Sequence, residues 1–367
     1  MKIGVPKEIL DQEYRVALTP AGVYALTSLG HKVYVQNNAG VESGINDSDY
    51  VHAGAIILKS SIEIFDESEL VLKVKQPLEE ECKLLESSQI LFTFLHLAAD
   101  KKLALNLCKS KATCIAYETI ELSSGSLPLL IPMSEIAGRM SVQIGAHHLE
   151  KYFGGKGILL GGVPGVEPAN VLIIGGGTVG INAAKMAIGL GAKVAILDNN
   201  LNRLRELDDY FNGRLQPIYS TQHKICELIQ NADLVITAVL VTGAKAPKLI
   251  TSELISNMKN GSVIVDVAID QGGCVEEVSP TKHSDPTIKM NGVRVYAVPN
   301  IPGAVPMTST VALTNATLPY VIKLANNGYK AVFDDRSLLK GVNIHAGQVV
   351  HEVVASALDM EYSTLKI

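Results

Sequence analysis

VLIIGGGTVGINAA, residues Val171 to Ala184, sets four apolar residues ahead of three consecutive glycines and a fourth glycine three places on, then enters a helix-like run. Gly175, Gly177 and Gly180 thus spell G-x-G-x-x-G between a strand and a helix, the context that gives this short motif its meaning. Gly175 permits the tight turn, Gly177 lets backbone approach a pyrophosphate, and Gly180 lets helix and strand pack closely, while the helix N-terminus favours negative charge. The next apolar run, Lys193 to Leu197, ends at Asp198, 23 residues beyond Gly175, where the dinucleotide fingerprint places an acid on the adenosine ribose hydroxyls. A carboxylate there repels a 2′-phosphate. NAD is therefore favoured over NADP, with Arg203 five residues on pulling the other way.

Around that stretch the chain alternates short β-rich runs with longer helical ones, the pattern of an α/β fold with parallel sheets. Lys2 to Val5, Lys32 to Val35, Leu70 to Val74, Ile90 to Leu95 and Thr113 to Tyr117 form one set of buried strands. Val171 to Ile174, Lys193 to Leu197, Leu234 to Ala238, Ser262 to Val267 and Arg294 to Ala297 form a second. At 367 residues the chain exceeds one hydrophobic core, so two domains are expected. Ser134 to Phe153 reads as a linking helix capped by Ser134, and Ser309 to Asn327 as another after the Pro/Gly-rich PNIPGAVP. The residues after it are too few for a core of their own and are expected to return to the first domain.

Composition narrows the function classes. The net charge of -5, with lysines and arginines scattered, argues against nucleic acid. No apolar run reaches membrane-spanning length, and MKIGVPKEIL carries no secretory pattern. The five cysteines lack C-x-x-C or other metal-ligand spacing, which points to a reducing cytoplasm. No metal is expected. The histidines outside position 96 form no ligand cluster: His147 and His148 lie within the linking helix, and the others lie in turns or polar surroundings.

Four polar residues in the sequence ask for a chemical explanation. Lys75 ends LVLKVK, His96 ends ILFTFLH and Asp270 ends SVIVDVAID, and ligands of open α/β sheets gather at the carboxyl ends of strands. Arg15, in EYRVALTP after the first strand, can reach the same mouth. Taken singly, each also has a structural reading as a strand-end or surface residue. Together, two cations, one imidazole and one carboxylate near a nicotinamide suit a substrate that carries a carboxylate and loses a hydride and a proton.

MKIGVPKE, RVALTPAGV, LVLKVKQP, FLHLA, MSEIAGRMSVQ, GGVPGVEPANVLIIGGGTVG, GAKAPKLI, VDVAIDQGG and TSTVALTNATLPY resemble, over essentially the whole length, the alanine dehydrogenase and pyridine nucleotide transhydrogenase family. The resemblance implies two Rossmann-like domains joined by long helices around an interdomain cleft. Residues 1–130 and 306–367 would form the catalytic domain, and residues 131–305 the NAD domain. It implies NAD-dependent, reversible oxidative deamination of L-alanine to pyruvate and ammonium through an imine, in a cytoplasmic homohexamer. By the same resemblance Arg15 and Lys75 hold the substrate while His96 and Asp270 move protons. Cofactor contacts fall on Ser134, the loop Gly175, Gly177, Thr178, Val179 and Gly180, then Asp198, Arg203, Ser220, Val239, Leu240, Val267, Ala268, Ile269, Asp270, Val298, Pro299, Asn300 and Ile301. The chain departs from the family at Met307, where many members carry a basic residue. Closure about hinges near residues 130 and 305 is expected to assemble the site. Three other readings stay open at this level: the NAD-binding subunit of a transhydrogenase, a catalytically silent NAD-binding protein, and a dehydrogenase of a different amino acid.

Overall fold

Apolar runs too short for helices become strands. In chain order these are β1 (Lys2–Val5), β2 (Lys32–Gln36), β3 (Ile56–Leu58), β4 (Leu70–Leu72), β5 (Ile90–Thr93) and β6 (Thr113–Ala116). They continue with β7 (Asn170–Ile174), β8 (Lys193–Asp198), β9 (Gln216–Tyr219), β10 (Leu234–Thr237), β11 (Val263–Asp266), β12 (Thr287–Met290) and β13 (Val293–Tyr296), and end with β14 (Val342–His345) and β15 (Gln348–Val349). The computed structural model describes residues 1–239 and 246–365. It divides into two units, Met1–Met133 with Val305–Ile367, and Ser134–Ala304.

In the first unit the strand order is β15-β14-β6-β5-β4-β1-β2-β3. From β6 to β3 every pairing is parallel, with Ile3 opposite both Val33 and Leu70 and with Leu72 opposite Phe92. β4, β5 and β6 are buried at every residue, which is why they read as unbroken apolar runs: helices cover both faces of a parallel sheet. β14 and β15, from the C-terminal residues, add an antiparallel edge beside β6. That edge is the antiparallel part of an otherwise parallel sheet. Residue types at the helix starts explain the crossovers. Thr19 accepts from the Gly22 N–H ahead of the helix Pro20–Ser28, and Ser60 with Glu63 forms a capping box for Ser61–Glu67.

The second unit repeats the plan in the order β12-β13-β11-β10-β7-β8-β9, parallel except for the antiparallel pair β12 and β13. In both sheets the chain starts in the middle, fills one side, then returns beside its first strand. The order reverses between β1 and β4 in one unit and between β7 and β10 in the other. Such switch points, at the carboxyl ends of the strands, are where doubly wound folds hold ligands. The helix Ile131–His148 packs on the second unit, since a Cβ on Gly138 would collide with the Val179 carbonyl and one on Gly145 with the Leu234 side chain. It begins three residues ahead of Ser134, so Ser134 lies in its first turn and does not cap it.

Candidate active site

Lys75 and His96 do not end their strands as the sequence suggested. β4 stops at Leu72 and β5 at Thr93, and both residues stand in the loops beyond. The ladder nevertheless runs on between the two chains: Phe94 donates to the Val74 carbonyl at 3.2 Å, and Thr93 Oγ1 to the Lys75 carbonyl at 2.9 Å. Lys75 and His96 thus leave one edge of the sheet side by side. Arg15 follows β1, the next strand over, so three neighbouring strands bring the two cations and the imidazole to a common edge.

Each of the three is held by a carboxylate that the sequence reading passed over. Arg15 is 2% exposed, and Glu13 takes two of its guanidinium donors, Nε at 2.6 Å and Nη2 at 2.5 Å. Nη1 points instead to the Met133 sulfur, 3.1 Å away, a weak acceptor. Burial pushes the Glu13 carboxyl up, but the hydrogen bonds and charge of Arg15 outweigh it and hold Glu13 below the ordinary range.

Lys73, the apparent misfit in the apolar run LVLKV, is fully buried between Glu81 at 2.8 Å and Glu8 at 3.1 Å. Desolvation alone would lower its ammonium; the two carboxylates outweigh it and raise it. Glu8, buried with it, is pushed above its usual value by desolvation despite Lys73. Its Oε1 accepts from the N–H groups of Val74 at 2.6 Å and Lys75 at 3.4 Å, so the buried triad also fixes the backbone that carries Lys75. His96 is held in turn by Glu118, which accepts its N–H at 2.6 Å.

In the second unit the glycine loop has the shape its sequence demands. Gly175 has φ of +106°, a conformation closed to most side chains, and a Cβ there would sit 2.5 Å from the Ala238 carbonyl. A Cβ on Gly180 would collide with the Gly175 carbonyl, the close helix-to-strand packing the motif calls for. Gly177 differs: it is exposed, and a Cβ there would meet nothing within 4 Å. Protein packing therefore does not require glycine at 177, whereas backbone approach by a pyrophosphate does. No side chain caps the helix Thr178–Gly189 that starts here, leaving its first N–H groups suited to an anion.

Asp198 ends β8 and closes over the loop, accepting from the Gly176 N–H at 2.7 Å and the Asn200 N–H at 2.8 Å. Arg203 Nε donates to the Gly176 carbonyl at 2.6 Å, and Ser220 N–H to the Asp198 carbonyl at 2.9 Å. Val239, after β10, lies against Gly175. Val267 to Asp270 form a 3-10 turn after β11, with Asp270 four residues past the strand's true end, and Val298 to Ile301 follow β13. Asn300, with φ of +58°, donates its N–H to both Asp270 oxygens at 3.1 and 3.3 Å, tying the two segments together. These positions share the carboxyl edge of one sheet. Ser134 sits apart on the helix Ile131–His148, one turn before Gly138, and Leu240 lies outside the described residues.

Asp266, also unremarked in the sequence, is fully buried and anchors the turn bearing Asp270 through Thr237 Oγ1 at 2.6 Å and the Cys274 N–H at 2.9 Å. Burial raises its carboxyl in spite of those donors. Met307, exposed in the first turn of the helix Pro306–Asn327, offers no charge where a basic residue was expected. Among the described residues no cluster of ligating side chains could hold a metal, and no helix is long and apolar enough to cross a membrane.

The expectation that Asp198 faces the adenosine ribose has a direct test. Replacing Asp198 with glycine removes a charge-assisted acceptor, so NAD efficiency falls about 10-fold or more while the NADP-to-NAD ratio of kcat/KM rises. Equal use of both cofactors by the unaltered protein would refute the charge argument.

Comparison with known proteins matches residues 4–137 to the model described as alanine dehydrogenase/PNT, N-terminal domain, and residues 141–352 to its C-terminal counterpart. An alanine dehydrogenase of Methanococcus maripaludis is 56% identical over 365 residues, covering 99% of this chain and 98% of that one. One from Geobacillus stearothermophilus is 54% identical with the same coverage of each. A solved L-alanine dehydrogenase superposes with a TM-score of 0.95 at 52% identity, over 98% of this chain and 99% of that one. A transhydrogenase from Sinorhizobium meliloti reaches a TM-score of 0.82 at 24% identity, over 96% and 99%, and so shares the fold. With both halves matched in order and relatives more than half identical from end to end, the chain belongs to the alanine dehydrogenase/PNT family.

Proposed function

We infer that the chain is an NAD-dependent oxidoreductase that interconverts L-alanine with pyruvate and ammonium. One observation carries the reading: in a chain over half identical to alanine dehydrogenases, Arg15, Lys75 and His96 leave the carboxyl edge of three adjacent strands. Two cations suit the carboxylate common to alanine and pyruvate, and Glu13 and Glu8 fix their carriers before any substrate arrives. The glycine loop and Asp198 fit NAD, through the open space over Gly177 and the uncapped helix start. When bound, NAD supplies the hydride acceptor.

The chain's own residues do the rest. Arg15 and Lys75 pair with the substrate carboxylate, and their positive field favours the neutral amine that hydride loss requires. His96 exchanges protons with the nitrogen and oxygen substituents as the imine adds water and releases ammonia, and Asp270, oriented by the Asn300 N–H, receives a proton from that water. The first unit acts as the substrate domain and the second as the cofactor domain.

The assembly is a cytoplasmic homohexamer. Tyr152 (90% exposed), Leu159, Val163 and Val166, all solvent-facing in the single chain, support burial by other copies. The cysteines are free among the described residues, which suits a reducing compartment.

Following NADH absorbance with a panel of amino acids, and with pyruvate plus ammonium, tests the reading. Alanine and pyruvate are expected to give the highest kcat/KM, and cofactor binding without turnover on any amino acid would overturn it. Arg15→Ala and Lys75→Ala each remove a charge-assisted contact and raise the KM for pyruvate about 10- to 150-fold, with NADH binding nearly unchanged. Arg15→Ala also strands the buried Glu13 carboxylate, so unfolding is recorded beside the kinetics, and Arg15→Lys separates charge from fork geometry. A large loss of NADH affinity in the folded variants would contradict the assignment.

A further inference from the structure

His96 carries a backbone strain. Its φ of +51° and ψ of +35° put a non-glycine residue in the left-handed region, at a cost of roughly 1–2 kcal/mol that the surroundings must offset. The peptide ahead of it is tied to the neighbouring strand. Glu118, in the 3-10 turn Tyr117–Thr119 directly after β6, places its carboxylate on two successive N–H groups. Leu95 N–H donates to Oε1 and Oε2, both at 3.2 Å, and His96 N–H donates to Oε1 at 2.6 Å. A strand that ran straight on past Thr93 would turn consecutive N–H groups to opposite sides. The single carboxylate therefore gathers two donors that a turn in the backbone of Leu95, the residue between the two peptide planes, brings to one side.

The same turn also reaches the imidazole by a second route. Tyr117 packs edge-on against Phe94, with ring centroids 5.0 Å apart at 80°, and Phe94 stacks on the His96 ring at 5.7 Å and 5°. Backbone and ring of His96 are thus both referred to residues 117 and 118. We propose that Glu118 is the positioning residue of His96: by binding the N–H groups of Leu95 and His96 it fixes the peptide plane from which His96 departs and so sets where the imidazole leaves the chain. The proposal rests on His96 as the proton-transfer group. Glu118 itself need touch no substrate.

The test combines kinetics with the backbone itself. Glu118→Ala is expected to lower kcat on alanine about 100-fold, the scale of a misplacement near 1 Å, while the KM for NAD stays within about twofold. In a His96→Ala background the same substitution should cost less than about twofold, because a residue acting through His96 has nothing left to position. Glu118→Gln, whose carbonyl oxygen can still accept both N–H groups, should restore most of kcat; Glu118→Asp, charged but too short, should not.

A crystal structure of the alanine variant should show the Leu95–His96 peptide rotated out of its present plane and the imidazole displaced with it. If Glu118→Ala destabilises the fold, the Gln and Asp pair carries the comparison, with thermal midpoints recorded for each. Wild-type kcat in the alanine variant, equal fold-losses in both backgrounds, or an unmoved Leu95–His96 peptide without Glu118 would each overturn the proposal. If His96→Ala alone proved fully active, the proton role of His96 would fall, and the orientation of the Leu95–His96 peptide would still decide the role of Glu118.

Discussion

His96→Ala and Asp270→Asn are each expected to lower kcat by about 100-fold or more, the usual scale for losing a general acid or base, while NADH still binds. The two losses should not multiply. Residues that manage protons around one intermediate behave as a unit, so the double variant should be little worse than the poorer single one. The structure supplies the control. Asp270→Asn keeps an oxygen that can accept from the Asn300 N–H, so the junction of the two segments survives. His96→Ala removes a ring that stacks on Phe94 at an exposed position and leaves the backbone N–H that Glu118 accepts. Unfolding midpoints measured beside steady-state rates separate chemistry from scaffolding. Variants that melt early yet keep near-normal kcat per folded molecule would sink the catalytic assignment.

Lys73→Met should lower stability by about 3–5 kcal/mol at neutral pH, because it leaves Glu8 and Glu81 buried together without their cation. For a unit of this size that is a fall of roughly 10 °C in the melting midpoint. The sign of its pH dependence follows from Glu8. Burial raises the folded-state carboxyl above its unfolded value, so the neutral acid is the form the fold prefers. Stability tied to that proton is fully present below the unfolded value and is lost as pH rises through the folded one. Without Lys73 the loss deepens, so the deficit of the variant should be larger at pH 8 than at pH 5. Adding Glu8→Gln, whose oxygen can still accept from Val74 N–H, should recover part of the deficit. A melting point within a degree or two of the parent at pH 8 would show that the triad contributes nothing.

The glycine loop was legible in the sequence because each of its constraints is local: a turn at Gly175, a close packing at Gly180, an acid one strand later. The strand set was legible where burial on both faces makes a strand wholly apolar. It failed at the edges. β9 reads QPIY, with a proline tolerable only because no strand follows it outward, and β3 and β15 are too short to show a period. Strand ends were overrun at Lys75, His96 and Asp270 because apolar residues continue into loops that lie under other chain. The supporting carboxylates were illegible for another reason. Glu8 lies 65 residues from Lys73, and Glu118 lies 22 residues from His96, so only the strand order makes them neighbours. A lysine inside LVLKV and an aspartate inside VIVDV were the available signals, since a charge amid a buried strand must have a partner.

The return of β14 to β6 bears on how the chain is made. As the polypeptide is synthesised, β1 to β6 emerge first and the whole of Ser134–Ala304 next, before any residue that can pair with the outer side of β6 exists. The second unit can fold at once from contiguous sequence. The first must wait, with β6 presenting unpaired N–H and C=O groups while roughly two hundred more residues are added at about 5–20 per second. For that interval it is an open template for strands of neighbouring nascent chains. A ribosome that stalls before Val342 would release a chain with a finished nucleotide-binding half and an adhesive edge, a liability that chaperones rather than the fold itself must cover.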